Sequence, residues 1–254
     1  MNEENLINYY NKFNEDKRLD TMHGQVEFLT ALKYIHKYIK NGNKVIDIGA
    51  GTGKYSKYLK DEGYDVFAIE LVKHNLREIE KKGVKCALGN AVNLSKIEDN
   101  SFDITLLFGP MYHLITIEEK EKALSEAKRI TKKNGYIFIS YCLNEYAVIT
   151  HGFIDNNIKE SMKENLVDKN FKITPKKDDL YSFVRLEDID YLNKKLNLKR
   201  VKVLSQDGPA EYIKKTINKM TKEEFDIFMN YHFSTCERKE LLGSGRHLLD
   251  ILKK

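Results

Sequence analysis

Tryptophan is absent from this 254-residue chain, and proline and cysteine occur only three times each. The cysteines Cys86, Cys142 and Cys236 lie far apart with no CxxC pair, which excludes a zinc ribbon and a disulfide scaffold. His232 and Cys236 are spaced one helical turn apart, but two ligands do not hold a metal, so no metal site is expected. No run approaches the ~18–20 apolar residues of a membrane span. The acidic start, Met1-Asn2-Glu3-Glu4, lacks the basic and apolar opening of a secretory signal. Neither sign of charge dominates: 43 Lys and Arg stand against 38 Asp and Glu, a net +5, with both signs interspersed. That is the pattern of a solvated surface and not the basic stripe of a nucleic-acid binder. The expectation is a reduced, cytoplasmic protein with no membrane partner, no bound metal and nothing that favours nucleic acid.

What the chain does have is enough apolar residue, 41% against 32% charged, to bury one large core. Val26, Leu29, Leu32, Ile35 and Ile39 recur at three- and four-residue intervals, which makes residues 1–43 a helical cap ending at Asn41-Gly42. Beyond it, short apolar runs at 44–48, 64–70, 84–88, 102–108 and 135–142 alternate with helical stretches at 54–61, 73–82 and 117–132. This alternation predicts βαβ units and an open parallel sheet. After Asn144 the pattern loosens. A helix over 186–196, a strand over 200–204, a helical segment over 209–240 and a closing strand over 247–252 are expected. Residues 44–254 then form one core with helical insertions at about 145–185 and 209–240, natural places for a substrate lid.

The strongest signal is Val45-Ile-Asp-Ile-Gly-Ala-Gly-Thr-Gly53, a buried strand ending in a glycine turn that opens a helix. Glycines let backbone approach a ligand, and the helix start offers free N–H groups. A dinucleotide fingerprint from Gly49 requires glycine at position 54, where this chain has Lys54, so a nicotinamide dehydrogenase is disfavoured. Asp47-x-Gly49-x-Gly51-x-Gly53 instead resembles the first motif of class I S-adenosylmethionine-dependent methyltransferases. Glu70 closes the second strand, where that family places an acid on the ribose hydroxyls; a carboxylate can accept both bonds of a diol. Gly89-Asn90-Ala91 is similar to the family's Gly-Asp-Ala adenine turn, with Asn90 for Asp. Ser101-Phe-Asp103 and Asn134-Gly-Tyr136 lead into the fourth and fifth strands as the family's motifs do.

The resemblance implies a Rossmann-like α/β fold with a seven-stranded, mostly parallel sheet whose last strand is antiparallel. It implies S-adenosyl-L-methionine as cofactor and S-adenosyl-L-homocysteine as product. Asp47, Gly49, Ala50, Gly51, Gly53, Glu70, Leu71, Asn90, Ala91 and Phe108 would surround the cofactor. Tyr10 and Arg18 would join them from N-terminal helices that fold over it in similar enzymes, Arg18 meeting the methionine carboxylate as a planar fork.

The end of the fourth strand, Phe108-Gly-Pro-Met-Tyr-His113, lacks the Asn/Asp-Pro-Pro-aromatic tetrapeptide of adenine and glutamine methyltransferases. It resembles the Gly-Pro-Leu-Tyr-His-Leu of small-molecule methyltransferases related to the quinone-biosynthesis type. His113 is the candidate base, since a neutral imidazole takes a proton near pH 7; the alternative is a histidine packed at the next helix or against the cofactor. Tyr112 either orients the acceptor or fills the wall. His23, Tyr141, Tyr231 and His232 are candidate acceptor contacts. The expected activity is N-, O- or C-methylation of a small molecule. An RNA or protein methyltransferase and a non-catalytic cofactor-binding protein remain as alternatives, and no residue pattern indicates an oligomeric state.

Overall fold

The computed structural model describes residues 3–11 and 15–254. Three helices lead, α1 (Glu3–Tyr10), α2 (Glu15–Asp20) and α3 (Met22–Tyr38), the last capped by the Thr21 hydroxyl on the Gly24 N–H. Then follow β1 (Lys44–Ile48), α4 (Lys54–Asp61), β2 (Asp65–Glu70), α5 (Lys73–Lys81), β3 (Lys85–Leu88), β4 (Phe102–Leu107), α6 (Ile117–Ile130) and β5 (Thr131–Cys142). The more irregular part holds α7 (Asn144–Ala147), a wide turn over Val148–Ile154, α8 (Ile158–Lys163), α9 (Leu186–Lys195) and β6 (Lys199–Ser205). The chain closes with α10 (Lys214–Ile217), α11 (Lys222–Thr235) and β7 (His247–Lys253).

The sheet order is β3-β2-β1-β4-β5-β7-β6. Every pairing is parallel except those of β7, which runs antiparallel to both β5 and β6. The expected fold is the observed one. Strand parity divides the core into two layers: Val45 packs on one face with Phe28, Ile35, Leu59 and Ile79, while Ile46 and Ile48 pack on the other with Leu124, Ile130 and Leu192. The chain leaves β1 toward β2 and later returns to β4 on β1's other side. The resulting crevice at the carboxyl ends of β1 and β4 is where an open α/β sheet takes its ligand.

Some boundaries differ from expectation, and β5 begins at Thr131 and not at 135. The sixth helix stops at Ile130, not at 132, because Thr131 turns extended and its hydroxyl bonds back to the Ala127 carbonyl at 2.6 Å and meets Thr105 at 2.7 Å. The 209–240 segment is helical as expected, in separate pieces: Thr221 starts α11 afresh with a reciprocal capping box to Glu224, after a short 3-10 turn at Gly208–Glu211 and α10. That segment docks on the N-terminal cap, with Val26 packed among Ala210, Ile217, Phe225 and Met229. Cap and insertion therefore cover the sheet as one helical layer.

Candidate active site

At the crevice lies a cavity with about 930 Å³ of atom-free space, part of it open to solvent. Its floor is the turn after β1. Gly49 and Ala50 donate their N–H groups to the Ile69 carbonyl at 2.8 and 3.1 Å, which pins the turn to β2. Gly49 has φ +69°, and a Cβ there would stand 2.7 Å from the Pro110 ring; a Cβ on Gly109 would stand 2.8 Å from the Gly49 carbonyl. The turns after β1 and β4 thus interlock, and only glycine lets them.

Glu70 joins the loops around the cavity. Its Oε2 accepts from the Gly51 N–H at 2.8 Å and its Oε1 from the Val72 N–H at 2.9 Å. Burial outweighs those bonds and pushes its carboxyl up to about 7. Asp47 sits on the same strand face as Val45, beneath α4, where the Ser56 hydroxyl donates to it at 2.6 Å; burial raises it to about 6. Asn90 turns its own chain by accepting the Val92 N–H at 3.1 Å, and Leu71 and Ala91 stand beside it on the wall.

His113 lies on the opposite side, in the turn after β4. A carbonyl can only accept, so the 2.8 Å contact with the Leu180 oxygen puts the ring proton on Nδ1, and Nε2 then accepts from the Tyr10 hydroxyl at 2.8 Å. Burial lowers this imidazole to about 4, so it is neutral at pH 7. Tyr112 lines the cavity beside it, and Tyr181 stacks near His113 with ring centres 5.0 Å apart. The N-terminal cap supplies Leu6, Tyr10, Arg18 and Leu19 to the wall, as expected of α1 and α2.

Several expectations need correction. Arg18 lines the cavity, but its guanidinium is forked onto Glu27 at 2.7 and 3.2 Å, so its partner in this structure is a protein carboxylate. Gly53 and Phe108 do not line the cavity. Gly53, at φ +81°, gives room to Ile79 and so seats α4 against α5, and the Phe108 ring packs on Tyr55 with centres 4.9 Å apart. The four candidate acceptor contacts stand elsewhere. His23 bonds Asn218 and Thr21 outside the cavity. Tyr141 shares the face of Ile137 and Ile139 and is sealed in the core, its hydroxyl without a partner. Tyr231 faces solvent on α11, 52% exposed. Its neighbour His232, about 100° around the helix, points inward to the Thr30 hydroxyl at 3.0 Å.

The sequence reading missed Glu27, Tyr55 and Asn75, all on the cavity wall. The Tyr55 hydroxyl and the Asn75 amide oxygen are buried without any hydrogen-bond partner, which ordinarily costs about 1–3 kcal/mol each. A signal for them existed. Both lie in the first turn of a helix that starts at the carboxyl end of a strand, which is where that turn faces the crevice.

These features fit S-adenosylmethionine: a carboxylate for a diol, a glycine floor, an amide turn, and two orphaned polar atoms awaiting a polar ligand. Residues 46–139 match the family described as methyltransferase domain. A demethylmenaquinone methyltransferase of Paenarthrobacter aurescens is 37% identical over 105 residues, 40% of this chain and 40% of the relative. The eEF1A lysine and N-terminal methyltransferase of Homo sapiens is 25% identical over 137 residues, 52% of this chain and 20% of that one. Among solved structures, a Thermotoga maritima protein described as a SAM-dependent methyltransferase, possible histamine N-methyltransferase, has a TM-score of 0.59 over 99% of both chains at 22% identity. The PH0226 protein of Pyrococcus horikoshii has a TM-score of 0.61, covering 97% of this chain and 98% of that one at 16% identity. The chain spans about two fifths of the length of the demethylmenaquinone methyltransferases it matches. It carries a class I S-adenosylmethionine-dependent methyltransferase domain, and that family and fold imply binding of S-adenosylmethionine. Among the described residues, no helix is long and apolar enough to cross a membrane.

Proposed function

We propose that this chain transfers the methyl group of S-adenosylmethionine to a small-molecule acceptor and releases S-adenosylhomocysteine. The observation that carries the reading is the pair of orphaned buried atoms, Tyr55 Oη and Asn75 Oδ1, in the same cavity as the Glu70 carboxylate. A polar ligand relieves all three. In this reading Glu70 accepts from the ribose hydroxyls, and Asn90, Asn75, Leu71 and Ala91 surround the adenine and ribose. The glycine turn supports the methionine chain, with Asp47 beneath it.

The cofactor supplies a methyl group on a sulfonium, an electrophile whose leaving group is a neutral thioether. The protein has to align the acceptor in line with it, exclude water, and take a proton where the acceptor loses one. Tyr10 and His113 are placed for that last task, and burial, which holds the imidazole at about 4, makes the imidazolium short-lived. The Tyr10 oxygen accepts the acceptor's proton while its own passes to Nε2 of His113, and the Leu180 carbonyl steadies the imidazolium through Nδ1. Tyr112 and Tyr181 hold the imidazole in its plane. A small acceptor is favoured because α1 and α2 cover the cavity with Leu6, Tyr10, Arg18 and Leu19, leaving little room for a folded macromolecule. Three free cysteines fit a reducing, cytoplasmic setting.

Calorimetric titration with S-adenosylmethionine and, separately, NADH tests the cofactor, with a Gly51→Arg variant as control. Micromolar binding of S-adenosylmethionine alone, abolished in the variant, is expected. Release of S-adenosylhomocysteine in the presence of pooled small molecules then tests turnover. Methylation only of added protein or RNA would overturn the small-molecule reading, and tight binding without turnover would move a non-catalytic role to the front.

A further inference from the structure

Next to the cavity, where β5 and β7 pair at their ends through Cys142 and His247, lies a buried group of charges that the reading above does not use. The Arg18–Glu27 pair lines the cavity. Behind it His247 stands 2.8 Å from Asp207 and 3.4 Å from Glu27. Burial works against a charged imidazole there, but Glu27, Cys142 and Asp207 push His247 well above its ordinary range. Glu27 is held down to about 2 against its own burial by Arg18 and His247. These four groups satisfy one another at contact distance.

Arg246 is less well met, facing the Cys142 sulfur and a more distant carboxylate. Its nearest carboxylate, Glu211, is 3.9 Å away, and Glu211 is in turn 3.7 Å from His23. No described oxygen accepts a hydrogen bond from its guanidinium, which sits 5.9 Å from the ring centres of both Tyr146 and Tyr181. A guanidinium has five N–H donors in a rigid fork, and here two aromatic rings flank it, so its orientation is set before anything binds. Arg246, Tyr146 and Tyr181 stand behind the cavity wall, and Tyr181 links the guanidinium to His113 on that wall. The Tyr181 and His113 ring centres are 5.0 Å apart, so one tyrosine adjoins both the imidazole and the guanidinium.

We propose that Arg246 is the anchor for a carboxylate on the methyl acceptor, with Tyr146 and Tyr181 packing against the acceptor's body. The proposal rests on the methyltransferase reading for the word acceptor, but not for the binding site itself. A planar carboxylate meets a guanidinium with two parallel hydrogen bonds, which a neutral amide cannot match. Glu211, the competing protein carboxylate, is too far from Arg246 to make them.

The test uses the full chain loaded with S-adenosylhomocysteine, and separately without nucleotide, titrated with benzoate and with its neutral isostere benzamide and followed by ligand-observed NMR. Benzoate is expected to bind at least tenfold more tightly than benzamide, and Arg246→Gln to erase the difference while leaving nucleotide affinity within twofold. Glu211→Gln removes the competing carboxylate and is expected to tighten benzoate several-fold, which keeps the proposal testable should Arg246→Gln fold poorly. Equal affinity for the two probes in the wild-type protein overturns the proposal, as does a benzoate affinity indifferent to both variants. Failure of the wild-type protein to bind S-adenosylhomocysteine would sink the methyltransferase reading. The benzoate preference of the nucleotide-free protein still decides the role of Arg246.

Discussion

Glu70 should make cofactor affinity depend on pH in a range where few carboxylates titrate. Its two oxygens already accept from Gly51 and Val72 N–H groups, and burial still raises its carboxyl from 4.5 to about 7. A ribose diol brings two more donors, so the ligand selects the ionised form. With a free-protein value near 7, about one molecule in ten is ionised at pH 6 and nine in ten at pH 8, so the dissociation constant should fall ~10-fold across that interval. Glu70→Gln leaves an amide nitrogen facing a backbone N–H and forfeits charge-assisted bonds. The cost is on the order of 2–4 kcal/mol, a ~30- to 1000-fold weaker complex. The ligand-free stability follows the same group with its sign fixed. A carboxyl whose folded value is raised stabilises the protonated fold, so that contribution is whole below pH 4.5 and lost as pH rises through 7. The loss is about 3 kcal/mol at most. Asp47, raised to about 6, adds to the same trend. The assay is calorimetric titration with S-adenosylhomocysteine at pH 6, 7 and 8, paired with urea unfolding of the free protein at the same values. An affinity that does not change between pH 6 and 8, or a Glu70→Gln variant within threefold of wild type, would refute the reasoning.

Three further outcomes are expected. Tyr10→Phe removes the hydroxyl between cavity and His113, and turnover should fall ~10- to 100-fold with cofactor affinity nearly unchanged; His113→Ala should cost no less, and equal loss of binding and turnover would make both residues structural. Gly49→Ala and Gly53→Ala both force a side chain into positive φ, but the first drives a Cβ to 2.7 Å from Pro110 and the second to 2.9 Å from Ile79. The first should therefore weaken cofactor binding in calorimetry more than it lowers melting temperature, and the second should do the reverse. Tyr141→Phe deletes a buried hydroxyl without a partner, so urea unfolding should show a gain of about 1 kcal/mol with activity unchanged; a loss would mean that hydroxyl has a partner in solution.

The sheet was legible because it is written in short-range pattern. Val45 to Ile48 and the later apolar runs have the continuous burial of parallel strands, and glycines at 49, 51 and 53 mark where the first of them must turn. Glu70 could be placed by spacing as well, since a strand end has one position next to the crevice. Tyr10 and Arg18 could be assigned to the cavity but not given their partners: His113 and Glu27 lie 103 and 9 residues away and reach them only through packing.

The sequence by itself determined the fold, the glycine floor and the acid beside it, because those depend on backbone conformation and on periodicity within one βα unit. Tertiary structure alone decided what each polar side chain meets. Strand parity buried Tyr141 under α6 and α9, helical phase turned Tyr231 outward and His232 inward, and packing left the Tyr55 hydroxyl and the Asn75 amide oxygen without partners on first turns that face the crevice. The pairing of β5 with β7 put Arg246 beside Tyr146 and Tyr181, residues 100 and 65 positions earlier in the chain. Contacts at such separation are set by the closing of the sheet, which no local pattern of residues encodes.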